Sequence, residues 1–85
     1  MEKKYVRLEY SGFILFTEAI PHVKMKEIAK ALNEMIVSAG FWSTVNGSRA
    51  ICYGESIGLR IASKPEDTEL LRKFLGENDV SQFQF

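Results

Sequence analysis

Four consecutive apolar residues, Phe13-Ile14-Leu15-Phe16, set the strongest constraint on how this 85-residue chain folds. Side chains alternate between the two faces of a strand, so an unbroken apolar run needs cover on both faces. A strand of that kind is expected in the middle of a sheet. The residues before it, "YVRLEY", instead alternate: Val6, Leu8 and Tyr10 on one side, Arg7 and Glu9 on the other. That is the period of a half-buried strand. Ser11-Gly12 between the two segments marks a turn or a bulge, and both a hairpin and one kinked strand fit it.

Two helices follow from period and punctuation. Pro21 suits a first helical turn, where its missing N–H costs nothing. From there Met25, Ile28, Ala29, Leu32, Met35, Ile36 and Ala39 recur at three- and four-residue steps, and Gly40 stands at the place of a C-terminal cap. The second helix opens at Ser63-Lys64-Pro65-Glu66, which has capping-box spacing, and Glu66 and Asp67 favour its positive end. Leu70, Leu71, Phe74 and Leu75 form its apolar stripe, and Gly76 closes it. "FWSTVN", with a turn at Asn46-Gly47, and "SIGLRIA" read as strands, and "DVSQFQF" as a short final edge strand.

The resulting order is strand, helix, strand, strand, helix, strand, with an additional strand segment in front. It predicts one α+β domain over residues 1–85 with a ferredoxin-like split βαβ arrangement, an antiparallel sheet carrying both helices on one face. Residues 13–17 and 57–62 would then be neighbours at the sheet centre. A second layout, helix–three strands–helix, makes "RAICYG" a strand of its own and leaves the tail loose.

The stretch around the single cysteine has two readings. Residues 47–55 as a loop would gather Arg49, Cys52 and Tyr53 at one end of the sheet, where binding groups usually sit. A two-residue turn at Gly54-Glu55 would instead make a hairpin with Arg49 opposite Arg60, a like-charge pair that destabilises strand pairing. In this region the arginine-x-isoleucine of Arg49 to Ile51 and the leucine-arginine of "IGLRI" resemble the pattern of the selenium/sulfur carrier-like family of small proteins. Arg49 and Arg60 have that family's separation, and Ile51, Leu59 and Ile61 fall at its apolar positions. The resemblance spans roughly residues 40 to 85. The family's Cys-Gly pair is replaced here by Glu55-Ser56, and its proline-rich lead-in by Asn46-Gly47-Ser48-Arg49. What the resemblance implies is a carrier of sulfur or selenium, with Cys52 standing three residues before the family's own cysteine position and a partner protein for thiol transfer. That role needs an exposed thiol with a lowered pKa, and Arg49 and Arg60 are the cations the sequence places nearest.

Composition narrows the alternatives. Lys and Arg number 11 against 11 Asp and Glu. The two basic clusters, "EKKYVR" and "KMKEIAK", are interleaved with acid, so no stripe for phosphate emerges and nucleic acid is not expected as a partner. No apolar run approaches the ~18 residues of a membrane span. One cysteine forms no internal disulfide, and a reducing cytoplasm is the expected compartment. A single His22 and a single Cys52 supply neither a metal site nor a convergent acid–base set, so no cofactor and no metal are expected and an enzyme ranks third. His22, at the start of the first helix, is a candidate proton shuttle or anion ligand. The second functional reading is a homodimeric interaction or regulatory ligand-binding module with a structural cysteine. The reason is the apolar second face of the sheet, which either the N-terminal strand folding over it or another subunit, through the sheet face or edge, would cover. Candidate site residues are thus Arg49, Cys52, Tyr53 and Arg60.

Overall fold

The computed structural model describes residues 3–45 and 49–76. Strand β1 (Lys3–Leu8) and strand β2 (Gly12–Thr17) form an antiparallel hairpin, closed by the Leu8–Gly12 pair across a three-residue loop. Gly12 takes φ +85° at the bend, a conformation open to glycine at little cost. A single 3-10 turn (His22–Lys24) leads into α1 (Met25–Leu32), then come β3 (Ile36–Val45) and β4 (Arg49–Tyr53). The two-residue strands β5 (Glu55–Ser56) and β6 (Ile61–Ala62) precede α2 (Asp67–Leu75).

The four long strands form one sheet in the order β2-β1-β3-β4, antiparallel throughout. Strands β2 and β3 both run against β1 and are therefore parallel to each other, with α1 joining them across the inserted β1. The molecule is a mixed α+β fold built on an antiparallel sheet with two helices.

Several expectations are corrected. Residues 13–17 lie on the sheet edge, not at its centre, and residues 57–62 are not their neighbours. Ile61–Ala62 pairs with Glu55–Ser56 in a separate two-stranded sheet. The helices do not share a face. Val6, Leu8, Met25, Ala29, Ala39 and Leu59 form a core on the α1 side, joined by Ile14 and Phe16. Tyr5, Phe13, Ala50 and Leu71 form a second core on the α2 side, joined by Leu15 and Trp42. The apolar run of β2 is explained by this sandwich: Phe13 and Leu15 serve one core, Ile14 and Phe16 the other. Cover on both faces was the correct inference, and a helix on each face supplies it.

The first helix also ends earlier than its apolar spacing predicts. Asn33 adopts the left-handed conformation (φ 56°) and Glu34 N–H donates back to Ala29 C=O at 2.9 Å, which closes α1. Ile36 and Ala39 then pair with Leu8 and Val6 of β1. Gly40 is a strand residue, and close approach explains it: a Cβ there would sit 2.5 Å from Tyr53 O. Gly76 does cap α2, with φ +83°. The expected final strand over "DVSQFQF" and the turn at Asn46-Gly47 lie outside the described residues.

Candidate functional site

The loop reading of the segment around Cys52 does not hold. The strand that the second layout assigns to "RAICYG" is present, although its partner is β3 rather than the residues after Gly54-Glu55: Arg49, Ala50, Ile51, Cys52 and Tyr53 pair in register with Val45, Thr44, Ser43, Trp42 and Phe41. Alternation along β4 then separates the candidate residues. Cys52 joins the α2-side core with Ala50, whereas Tyr53 stacks on Phe41, ring centroids 6.1 Å apart, beside the His22 cluster. Arg49 is exposed at the start of the strand. Arg60 lies in the turn between β5 and β6 with φ 58°. The four residues therefore do not form one site. Arg49 is not opposed to Arg60, because it faces Val45.

Cys52 is half-buried and free. Burial, followed by the charge of Asp67, pushes its thiol up to about 11, against weaker opposing effects of Tyr5, Thr68 and Arg72. At neutral pH it is a protonated thiol, the opposite of an activated sulfur nucleophile. The cation nearest in influence is Arg72 rather than Arg49 or Arg60.

The polar centre of the molecule is a residue set that local sequence reading passed over. Asp67, fully buried at the first turn of α2, accepts from Tyr5 Oη at 2.5 Å, Arg7 Nε at 2.8 Å and Lys64 N–H at 2.9 Å. Arg7 also reaches Ser38 Oγ at 3.2 Å and Glu66 at 3.3 Å. Burial is the largest influence on the Asp67 carboxyl and works to raise its pKa. The hydrogen bonds from Lys64, Tyr5, Ser38 and Arg7 together outweigh it and hold the group below its ordinary value. Burial and the Asp67 contact drive Tyr5 strongly upward, so its hydroxyl stays a donor. All partners are satisfied, and the arrangement ties α2 to β1 and β3. It is a clamp. The expected Ser63–Glu66 box is replaced by Asp67, whose carboxylate holds Lys64 N–H; Glu66 makes no side-chain cap bond.

His22 does stand at the start of the helical segment, as the first residue of the 3-10 turn, but it is buried rather than accessible. Its Nε2 donates to Gly40 C=O at 2.8 Å, and its ring stands edge-on between Phe16 and Phe41, centroids 5.2 and 5.4 Å away. Burial lowers its pKa, and the nearby Lys4 adds to this against the hydrogen bonds. Among the described residues no group of three His, Cys, Asp or Glu is placed to hold a metal ion.

The two margins of the four-stranded sheet differ. Opposed pairs in an antiparallel ladder alternate between exchanging both main-chain bonds and exchanging none. Cys52 N–H donates to Thr68 Oγ1 at 2.9 Å, so Cys52 and, by alternation, Ala50 turn their main-chain groups away from β3. Ala50 C=O accepts from Arg72 Nε at 2.7 Å. Thr68 and Arg72, one helical turn apart on α2, thus occupy the outer edge of β4. On the opposite margin Thr17 C=O accepts from Ile20 N–H at 3.1 Å, so Thr17, Leu15 and Phe13 direct their groups outward. Among the described residues no strand pairs with that edge. The strand "GFILFT" carries no charge and no proline, the devices that usually protect an edge. Beside it opens a groove of about 550 Å³ walled by Leu15, Phe16, Thr17, Ala19 and Trp42, with the charged Lys3 and Glu18 among its walls. Lys3 Nζ sits 4.6 Å from the centre of the Trp42 ring.

Comparison with known proteins finds no matching family model, no matching curated protein and no matching solved structure.

Proposed function

We propose that this chain is a non-catalytic protein-interaction module that works as a homodimer through the open edge of β2, with Cys52 in a structural role. The observation that carries the reading is the asymmetry of the sheet. One margin is occupied by Thr68 and Arg72 of α2, while the other offers an uncharged strand with outward main-chain groups beside an apolar groove. Edge strands left bare in this way recruit another strand. The argument for dimerisation is now the edge, because α2 covers the face that another subunit was expected to fill. Sulfur or selenium carriage through Cys52 draws no support from a half-buried thiol shifted to about 11. We read the architecture as a variant of the ferredoxin-like split βαβ theme, in which β1 occupies the place between the two strands that α1 connects.

Sedimentation velocity of the full chain from micromolar to near-millimolar concentration tests the reading. A reversible monomer–dimer equilibrium is expected, weakened by Thr17→Lys, which sets a charge on the exposed end of the edge. A single monomeric species across the whole range would refute it.

A further inference from the structure

Two paired six-residue strands bring few side chains into contact, whereas a stable interface covers roughly 800 Å² on each partner. Groups beside the strand have to contribute, and the α2 face of the sheet presents two features of opposite shape. Near the start of β2, Phe74 of α2 lies against Phe13 with ring centroids 5.7 Å apart and is 54% exposed. More than half of this large aromatic residue is open to solvent. Near the end of β2 lies the groove walled by Leu15, Ala19 and Trp42.

We infer that these are the two halves of one self-complementary interface: in an antiparallel pair of β2 strands, Phe74 of each copy seats in the Trp42 groove of the other. The inference rests on the edge-pairing reading above and names what that edge recognises.

A two-fold axis perpendicular to the sheet makes the two β2 strands antiparallel and keeps both α2 helices on the same face. The same operation sets the start of one strand beside the end of the other. Centred on Leu15, whose main-chain groups face outward, the register places Phe13 opposite Thr17 of the second copy, where the Thr17 C=O already accepts from Ile20 N–H and pairing would rest on the Thr17 N–H. Phe74, packed on Phe13, then stands at the mouth of the second copy's groove. Paired strands lie about 4.8 Å apart, a step that an aromatic side chain from the covering helix spans. Charge is mixed at both ends: Arg7, Glu9 and Lys73 line the Phe13–Phe74 end, and Lys3 and Glu18 the groove end, so neither end carries a single sign that would repel the other. A net charge of zero leaves no long-range repulsion between copies.

Trp42 is the only tryptophan in the chain and lines the groove, so its emission reports occupancy. The full chain is diluted through the dimerisation range with emission and sedimentation followed together. A blue shift of Trp42 emission is expected as dimer forms. Phe74→Ser should weaken the dimer by at least about tenfold and remove the shift while far-UV circular dichroism is unchanged. Ala19→Leu, which fills the groove, should do the same from the other side. Ile57→Ser, at a residue 84% exposed on the β5–β6 turn, should change neither. Wild-type affinity in both Phe74→Ser and Ala19→Leu would overturn the inference and leave edge pairing standing. A chain monomeric at every concentration would remove both. Two other occupants would overturn it as well. One is the chain's own residues 77–85, shown by emission that ignores dilution but shifts in full-length Phe83→Ser/Phe85→Ser. The other is a small apolar ligand, shown by added mass in the native mass spectrum.

Discussion

Replacing Asp67 by alanine tests the account of how α2 is held. The substitution removes the acceptor for three donors at once: the Tyr5 hydroxyl, the Arg7 guanidinium and the Lys64 main-chain N–H. Asp67 and Tyr5 are fully buried and Arg7 keeps 18% of its side chain exposed, so water replaces the lost acceptor poorly. Breaking a buried charge pair by deleting one member costs about 3–5 kcal/mol. A domain of this length is stable by only about 4–13 kcal/mol, so the variant should sit near the edge of folding. In urea the midpoint should fall steeply with the slope unchanged. Trp42 emission and far-UV circular dichroism should report the same transition. Asp67→Asn keeps the shape and an acceptor but turns its amide toward the guanidinium, and should cost less. In a double-mutant cycle Tyr5→Phe should lose most of its effect once Asp67 is alanine. The pH dependence has a definite sign. The folded-state pKa of Asp67 is depressed, so its stabilisation is present above the unfolded value near ~3.9 and is lost as pH falls through the folded one. The gap between wild type and Asp67→Asn should therefore narrow in acid, below about pH 4. A cost under about 1 kcal/mol for Asp67→Ala, the range of an exposed pair, or strict additivity with Tyr5→Phe, would refute the clamp.

Iodoacetamide labelling of native Cys52 should be slow at neutral pH and rise only as pH approaches about 11; rapid labelling near pH 7 would return the thiol to candidacy as a reactive group. Stability should fall as pH drops below ~6.5, the unfolded value of His22, because its folded-state pKa is lowered by burial; His22→Gln should flatten that part of a denaturation–pH profile. Gly40→Ala should destabilise the chain by about 1–3 kcal/mol in urea melts, because its Cβ would meet Tyr53 O at 2.5 Å.

The sequence carried the local events and lost the long-range ones. Gly12 and Gly76 were legible because a hairpin bend and a helix end each demand a left-handed residue within a few positions. The end of α1 was not. Ile36 and Ala39 fit a helical stripe by spacing, and only pairing with Leu8 and Val6 makes them strand residues. For "FILF" two-faced cover is legible in the run itself, but it does not imply a central position in the sheet. A helix on each side satisfies an edge strand as well. Asp67 is legible as part of an acidic helix start, and it stands in the first turn of α2. Its partner Tyr5 lies 62 residues away, and no local pattern joins them. Cys52 drew attention as the single cysteine, a chemical signal, whereas its state is set by the burial that packing against α2 imposes. A faint sign of the sealed edge was present: Thr68 and Arg72 fall at helical spacing on the side of α2 that meets β4.

Because Thr68 and Arg72 plug the β4 margin, growth of the sheet has one direction only. If two copies join along β2 as proposed, the four-stranded sheets would offer, among the described residues, only their plugged β4 margins, and the pairing would stop at a dimer rather than run on into a fibre.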